Sequence, residues 1–211
     1  MRASTALPSP ARAVWLKRLH QWHWISSALC LLGILLFAVT GITLNHAALI
    51  ENRPSISRQK AALPPALAED VKAFAAVHAD AKAPLPPRLA SWARDTFDIE
   101  VAGREAEWND GEAYLPLARP GGDAWLRLGA DGAEYELTTR GAISWLNDLH
   151  KGRNTGLAWS LFIDVLGLAC LVFCITGFCI MQLHAANRPS TWPVIGFGIL
   201  APVLLALLFI H

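Results

Sequence analysis

Residues 19–50 read LHQWHWISSALCLLGILLFAVTGITLNHAALI and contain no Asp, Glu, Lys or Arg. About 20 apolar residues are enough for an α-helix to cross the hydrocarbon core of a bilayer. Two further stretches share this character. Residues 157–183 hold a single charged residue, Asp164, and no charged residue occurs from Trp192 onward. The sequence therefore predicts three membrane-spanning helices.

The overall composition agrees with a membrane protein and excludes several functions. Apolar residues make up 54% of the chain and charged residues 17%, against about 25% charged in a soluble domain. The net charge of +1 is uninformative about nucleic acid, but no basic patch interleaved with aromatic residues occurs, so we expect no nucleic-acid binding. The chain has no Walker loop, Gly-x-Ser-x-Gly or His-Glu-x-x-His motif. All four cysteines lie inside the predicted spans, so we expect no disulfide framework.

The segment between the first two spans has the pattern of a small α+β domain. Residues 65–80 (PALAEDVKAFAAVHAD) follow a helical period. Residues 113–118, 124–129 and 133–139 are strand candidates, separated by the turn sequences RPGGD and GADG. The predicted fold is therefore a membrane all-α protein of three helices, with an extracytoplasmic α+β domain inserted between helices 1 and 2.

This fold divides the sequence into six parts. They are a basic cytoplasmic tail (1–18), helix 1 (19–46), the inserted domain (47–148), helix 2 (149–184), a cytoplasmic link (185–191) and helix 3 (192–211).

Basic residues predict the orientation. The first 18 residues hold four basic residues and no acid, and the link holds Arg188. By the positive-inside rule both parts face the cytoplasm, which places the inserted domain and the C-terminus on the other side. The first span is too long for the apolar core of a signal peptide, so we interpret it as an uncleaved anchor.

Histidines bracket the first two spans, which predicts a cofactor site. If the two helices run antiparallel, His46 faces His150 at one surface, and His23 or His20 faces His184 at the other. Facing imidazoles can ligate one iron from both sides, so one or two bis-histidine haems are expected. The alternative is that these histidines only sit near lipid headgroups. His23 and His46 lie about 35 Å apart along an ideal helix. This distance argues against direct electron transfer between two haem irons bound at the two ends.

Three polar residues inside the spans are further candidates. Thr40 and Thr176 each belong to a Thr-Gly pair. Asp164 is a carboxylate within an apolar segment, where charge is costly. It is expected either to pair with Arg153, Thr40 or Thr43, or to serve a proton or quinone.

Both main spans resemble the PepSY-associated TM helix family of bacterial inner-membrane proteins. Residues 19–46 carry the resemblance through Trp22-His23, Thr40-Gly41 and Asn45-His46. Residues 148–178 carry it through the run Leu149–Gly152, Asp164 and Thr176-Gly177.

This resemblance implies a PepSY-like fold for the inserted domain and haem b held by His23, His46 and His150, with His184 as a further ligand. It also implies a haem-dependent reductase that passes electrons to a periplasmic acceptor, with ferric siderophore as the acceptor of several members. Such reductases usually have four or more spans, so a homodimer or a partner membrane subunit is expected. Two readings without redox chemistry stay open, because PepSY domains also act as binding or inhibitory modules and the chain could be an accessory subunit of a larger complex.

Overall fold

The computed structural model describes residues 10–50, 53–109 and 111–210, so the first nine residues of the predicted tail and His211 lie outside the described part. Six α-helices are described: α1 (Pro10–Asn45), α2 (Pro65–Val77), α3 (Pro87–Phe97), α4 (Gly141–Lys151), α5 (Gly156–His184) and α6 (Thr191–Phe209). Six strands are described: β1 (Ser55–Ala61), β2 (Ala81–Pro84), β3 (Glu105–Asn109), β4 (Glu112–Pro116), β5 (Gly122–Gly129) and β6 (Gly132–Thr139).

Three of these helices are long and apolar enough to cross a membrane. They are α1, α5 with the turn that follows it to Asn187, and α6, with mean hydropathy between 2.3 and 2.4. This confirms the three predicted spans. α1 begins at Pro10, well before residue 19, because nothing in the basic segment ahead of the span breaks the helix.

The predicted second span is divided in the structure. α4 ends at Lys151, where Gly152 adopts a left-handed conformation (φ +65°) and donates its N–H to the carbonyl of Leu149. Asn154 also has positive φ, and α5 begins only at Gly156. A left-handed glycine after the last turn ends a helix by satisfying its free carbonyl groups. His150 therefore lies on α4, a separate helix from the span.

The chain forms two compact units. The inserted unit is Phe37–Ser160, and the helical unit comprises the residues up to Leu36 and from Leu161 onward. Both α1 and α5 contribute residues to both units.

In the helical unit, α1 and α5 run antiparallel in close contact. A Cβ added to Gly33 would lie 2.5 Å from a methyl carbon of Leu166, and the thiol of Cys170 lies beside that of Cys30. Small residues allow membrane helices to approach in this way. The four cysteines are free thiols. Gly33, Cys30 and Cys170 therefore serve helix packing.

In the inserted unit, six strands form one antiparallel sheet in the order β1-β6-β5-β4-β3-β2. The hairpins β4–β5 and β5–β6 are the ones that the turn sequences predict. Along β5, buried and half-buried residues alternate from Gly122 to Leu128, and Ala124, Leu126 and Leu128 are among the buried ones. Alternate side chains of a strand point to opposite faces, so one face of the sheet supplies the core.

Helices α2 and α3 cover that face. Val71 of α2 and Leu89 of α3 are fully buried beside Trp108, Leu115 and Leu126 of the sheet. The indole N–H of Trp108 donates to the carbonyl of Ala83 at 3.0 Å. Burying a large aliphatic side chain contributes about 1.5–3 kcal/mol, so this layer accounts for most of the unit's stability.

Helix α4 is joined to the sheet at the turn before β5. The backbone N–H of Gly121 donates to a carboxylate oxygen of buried Asp148 at 2.9 Å. Gly121 has φ +75°, and a Cβ there would lie 2.7 Å from Cβ and 2.9 Å from Cα of Trp145. The turn therefore requires glycine for its conformation and for the close approach of α4.

We expect Gly121→Ala to destabilise the inserted unit by more than about 3 kcal/mol, because backbone strain and a clash with α4 add together. Gly103→Ala is the matched control. Gly103 has φ +72°, but no atom lies within 4 Å of an added Cβ, so this change costs only the strain of about 1–2 kcal/mol. Thermal unfolding followed by tryptophan fluorescence compares them, and equal losses for the two variants would contradict the packing of α4 on Gly121.

Candidate functional site

His23 of α1 forms a specific contact with α5 in the helical unit. Its Nδ1 lies 2.9 Å from the hydroxyl oxygen of Thr176. Its ring stacks on Phe173 with centroids 4.8 Å apart and planes inclined by 13°. A Cβ added to Gly177 would lie 3.1 Å from Cε1 of His23. The imidazole is thus half-buried in a recess formed by three residues of one helix face.

The hydroxyl of Thr176 determines which ring nitrogen of His23 carries the proton. Its oxygen lies 2.6 Å from the carbonyl of Val172 and 3.1 Å from that of Phe173. A hydroxyl has one proton to donate, and the short contact to Val172 takes it. The oxygen then accepts from Nδ1–H of His23, which leaves a lone pair on Nε2. Among the described residues, no group hydrogen-bonds to this Nε2.

His150 of α4 makes the same kind of contact in the inserted unit. Its Nδ1 lies 2.7 Å from the hydroxyl oxygen of Thr40. Its ring packs on Phe37 with centroids 4.9 Å apart, and a Cβ on Gly41 would lie 3.5 Å from its Cε1. Nε2 of His150 also has no hydrogen-bond partner within the described ranges. Each of the two imidazoles therefore contacts a phenylalanine, a threonine and a glycine.

One local motif builds both recesses. Residues 37–41 read FAVTG and residues 173–177 read FCITG. Residues three and four apart lie on one face of a helix, so Phe, Thr and Gly of Phe-x-x-Thr-Gly form a single surface. Sequence analysis selected Thr40 and Thr176 but missed the phenylalanines. The signal was available, because comparing the two spans with each other reveals the repeat.

The register of α4 on α1 separates His150 from His46. The hydroxyl of Thr43 donates to the side-chain oxygen of Asn147 at 2.9 Å, and His150 lies one turn further along α4, opposite Thr40. The two helices run antiparallel here, so His150 lies away from His46. His46 instead donates from Nδ1 to the carbonyl of Ile42 on its own helix.

The other predicted pair is not in contact either. His23 lies opposite Thr176, about two turns of α5 before His184, and His184 is exposed. His20 is exposed as well and donates from Nδ1 to the carbonyl of Leu16. The structure thus brings His23 and His150 each to a threonine, and in the described part it brings no two histidines together. That any of these residues binds haem stays a prediction.

Asp164 is exposed on α5, and we find no hydrogen bond or ion pair to it among the described residues. Thr40 and Thr43, two of its predicted partners, bond to His150 and Asn147 instead. A proton or quinone role for Asp164 stays a prediction.

Residues 10–50, 53–109 and 111–210 contain no group of three or more His, Cys, Asp or Glu side chains placed to hold a metal ion. A metal held only by protein side chains is therefore unsupported in that part of the chain. A haem differs, because its porphyrin supplies four ligands and the protein supplies only one or two.

The spans, the inserted sheet and the two imidazole recesses define a class of multi-pass membrane protein with an α+β domain between its first two spans. Over residues 14–211 the chain matches the family model described as "Putative PepSY_TM-like". The protein belongs to this PepSY_TM-like family, which confirms the resemblance of its spans. No curated protein and no solved structure matches the chain.

We expect Thr176→Val to destabilise the helical unit by about 1–3 kcal/mol, because it leaves a half-buried imidazole N–H without a partner. Thr176→Ser keeps the hydroxyl and should recover most of this loss. Thermal unfolding in detergent measures the stability, and the ¹⁵N chemical shifts of His23 report its tautomer. Wild-type stability together with unchanged His23 shifts in Thr176→Val would contradict the assigned hydrogen bond.

Proposed function

We propose that this protein binds haem in the bacterial inner membrane and transfers electrons to an acceptor on the extracytoplasmic side. The observation that carries this proposal is the state of His23 and His150. Each imidazole is held through Nδ1 by a threonine hydroxyl, and among the described residues no group hydrogen-bonds to either Nε2. Histidines that ligate metals typically donate their second N–H to a neighbouring group in this way, which orients the ring.

The residues around both imidazoles suit a porphyrin. Phe173 and Phe37 give each ring an apolar neighbour and restrict its rotation. Each glycine leaves room for the imidazole edge, and the hydroxyl of Thr176 keeps the Nδ1-protonated tautomer of His23. His23 and His150 would hold haem, which would supply one-electron chemistry when bound. His20 and His46 also donate from Nδ1 to a carbonyl, and they remain candidates with His184 as further haem-binding residues.

The direction of transfer follows from the charge distribution. Arg12, Lys17 and Arg18 precede or begin the apolar part of α1, and Arg188 lies in the turn between α5 and α6. Basic residues of this kind stay in the cytoplasm. On this proposal the inserted unit and the C-terminus are periplasmic, and a periplasmic acceptor such as a ferric siderophore is reduced near the inserted unit. A second copy or a partner subunit would complete the helical bundle that larger reductases of this type possess.

We expect the full-length protein, expressed with haem supplied, to show a Soret band. His23→Ala and His150→Ala should each lower the haem content or change the spin state, because each removes one nitrogen that would bind the haem iron. His78→Ala is the matched control, since His78 directly follows α2 and donates from Nδ1 to the carbonyl of Phe74. Absorption spectra and haem-to-protein ratios measure the effect. A wild-type protein without a Soret band would refute the proposal.

The threonines can be tested as positioning residues in the same protein. Thr176→Val and Thr40→Val should retain haem but shift its midpoint potential, because the hydrogen bond to Nδ1 sets the basicity of the ligand. A threonine that only packs the helices would leave the potential unchanged.

A second candidate function is that of a membrane-anchored binding module, and the open face of the sheet favours it. Tyr114 and Trp125 lie on the face opposite α2 and α3 with ring centroids 6.0 Å apart. Tyr114 is 41% exposed. Aromatic residues with one apolar body and one polar group are common at binding surfaces. This patch could hold an extended peptide segment of a partner protein.

Ion pairs surround the aromatic patch on the same face. They are Arg58–Glu136, Lys82–Glu107, Lys60–Glu134 and Arg127–Glu112, at 2.5–3.5 Å. The hydrogen bond to Glu107, and then its charge, raises the pKa of Lys82, and Glu136 does the same for Arg58. These cations therefore stay charged at neutral pH. Exposed pairs add little stability, but they keep the rim of the patch polar.

We expect a photo-crosslinking amino acid placed at Tyr114 to capture a partner protein in intact cells, because this aromatic patch is uncovered by α2 and α3. Ser91 is the control position, since it is exposed on α3 and belongs to the opposite side of the sheet. Adducts are resolved on denaturing gels. Equal yields from both positions, or none from Tyr114, would count against a binding role for this face.

A further inference from the structure

The turn between α5 and α6 forms a cleft in the helical unit. Its volume is about 540 Å³. Its lining combines an apolar wall from the end of α5 with polar side chains from the turn: Ile180, Met181, His184, Asn187, Arg188 and Thr191. Because α5 and α6 are both candidate membrane spans, the turn that joins them belongs at a boundary between hydrocarbon and water.

The polar side chains of this cleft have unused hydrogen-bonding capacity. Five histidines of the described part bond through Nδ1 to a protein group. His184 is the exception there, with no such bond and an exposed ring. Within the same described ranges, no acid pairs with Arg188. The turn from Ala185 to Ser190 contains no Asp or Glu at all.

A cleft with these polar and apolar side chains is suited to a ligand in which an anionic group is joined to an apolar one. A guanidinium binds phosphate through two parallel hydrogen bonds, and an imidazole N–H and an amide N–H can donate to the remaining oxygens. Ile180 and Met181 continue from this polar end onto the span. A free phosphate ion would gain nothing from that apolar wall, whereas the acyl chain of a lipid would bury against it.

We propose that this cleft binds the phosphate of an anionic phospholipid, with Arg188 as its charge partner and one acyl chain along Ile180 and Met181. The lipid would hold α6 against the end of α5. α6 has no buried residue, so it packs only loosely on the rest of the helical unit. Its described ring contact is the one between Trp192 and Phe178 of α5. This inference does not depend on haem binding.

The test measures lipid retention by the full-length protein in detergent, using native mass spectrometry after incubation with phosphatidylglycerol or phosphatidylcholine. We expect preferential retention of phosphatidylglycerol. Arg188→Gln should lower that retention about tenfold, as expected for the loss of a charged hydrogen bond. Arg188→Lys should lower it less, because it keeps the charge but loses the paired geometry. Arg18→Gln removes the same charge from an exposed position on α1 and should change the retention of phosphatidylglycerol less than twofold.

Two outcomes would overturn this proposal. Equal losses in Arg188→Gln and Arg18→Gln would show general attraction to the net charge instead of a site. Displacement of the lipid by millimolar inorganic phosphate, with equal retention of both lipids, would show a small-anion site. As a second measurement, phosphatidylglycerol should raise the unfolding temperature of the wild type more than that of Arg188→Gln, and equal shifts would also reject the site. The haem content of each variant is read separately from its absorption spectrum, so a failure of one proposal is distinguishable from a failure of the other.

Discussion

The hydrogen bond between an imidazole and a threonine hydroxyl is the constraint on which the helix contacts of this protein depend. Polar groups on a membrane helix must find partners within the protein, because hydrocarbon offers none. His23 with Thr176 satisfies this requirement between α1 and α5, and His150 with Thr40 satisfies it between α1 and α4. Each bond also sets a register, since a shift of one residue would turn the threonine away from the ring. Together with close contacts such as that of Gly33 with Leu166, these two polar contacts therefore set the packing of the helices.

The repeat of Phe-x-x-Thr-Gly gives each histidine the same three neighbours. The phenylalanine supplies a flat apolar surface, the threonine an acceptor, and the glycine space for the ring edge. The same elements would stabilise a helix pair without any cofactor, and interhelical bonds of this kind contribute about 1 kcal/mol. What goes beyond packing is Nε2 of both imidazoles, to which no group of the described part hydrogen-bonds. A purely structural contact has no need to leave that nitrogen without a partner, and for this reason the haem proposal rests on it.

The parts of the fold with strong local signals were predictable from the sequence. Long charge-free segments identified the spans, and glycine-containing turns between alternating strands identified the β4–β5 and β5–β6 hairpins. β1 was missed because all but its last residue are exposed and its sequence, SISRQKA, shows no apolar alternation. It forms a strand only because β6 offers it an edge along seven residue pairs. The last three residues of α4 were assigned to the second span because His150 was interpreted as its opening histidine, although Lys151 and Arg153 interrupt the apolar pattern before α5.

By itself, the sequence determined which segments are apolar enough to span a membrane, where the hairpins turn, and which polar residues stand out within the spans. These are properties of neighbouring residues, and they need no knowledge of the rest of the chain. The tertiary structure alone decided that His23 belongs with Thr176 and His150 with Thr40, pairs separated by 153 and 110 positions. The antiparallel order of the helices left several partners open for each histidine. The choice depends on helix register, which is set by close contacts such as Gly33 on Leu166 and Thr43 on Asn147, and no local pattern encodes it.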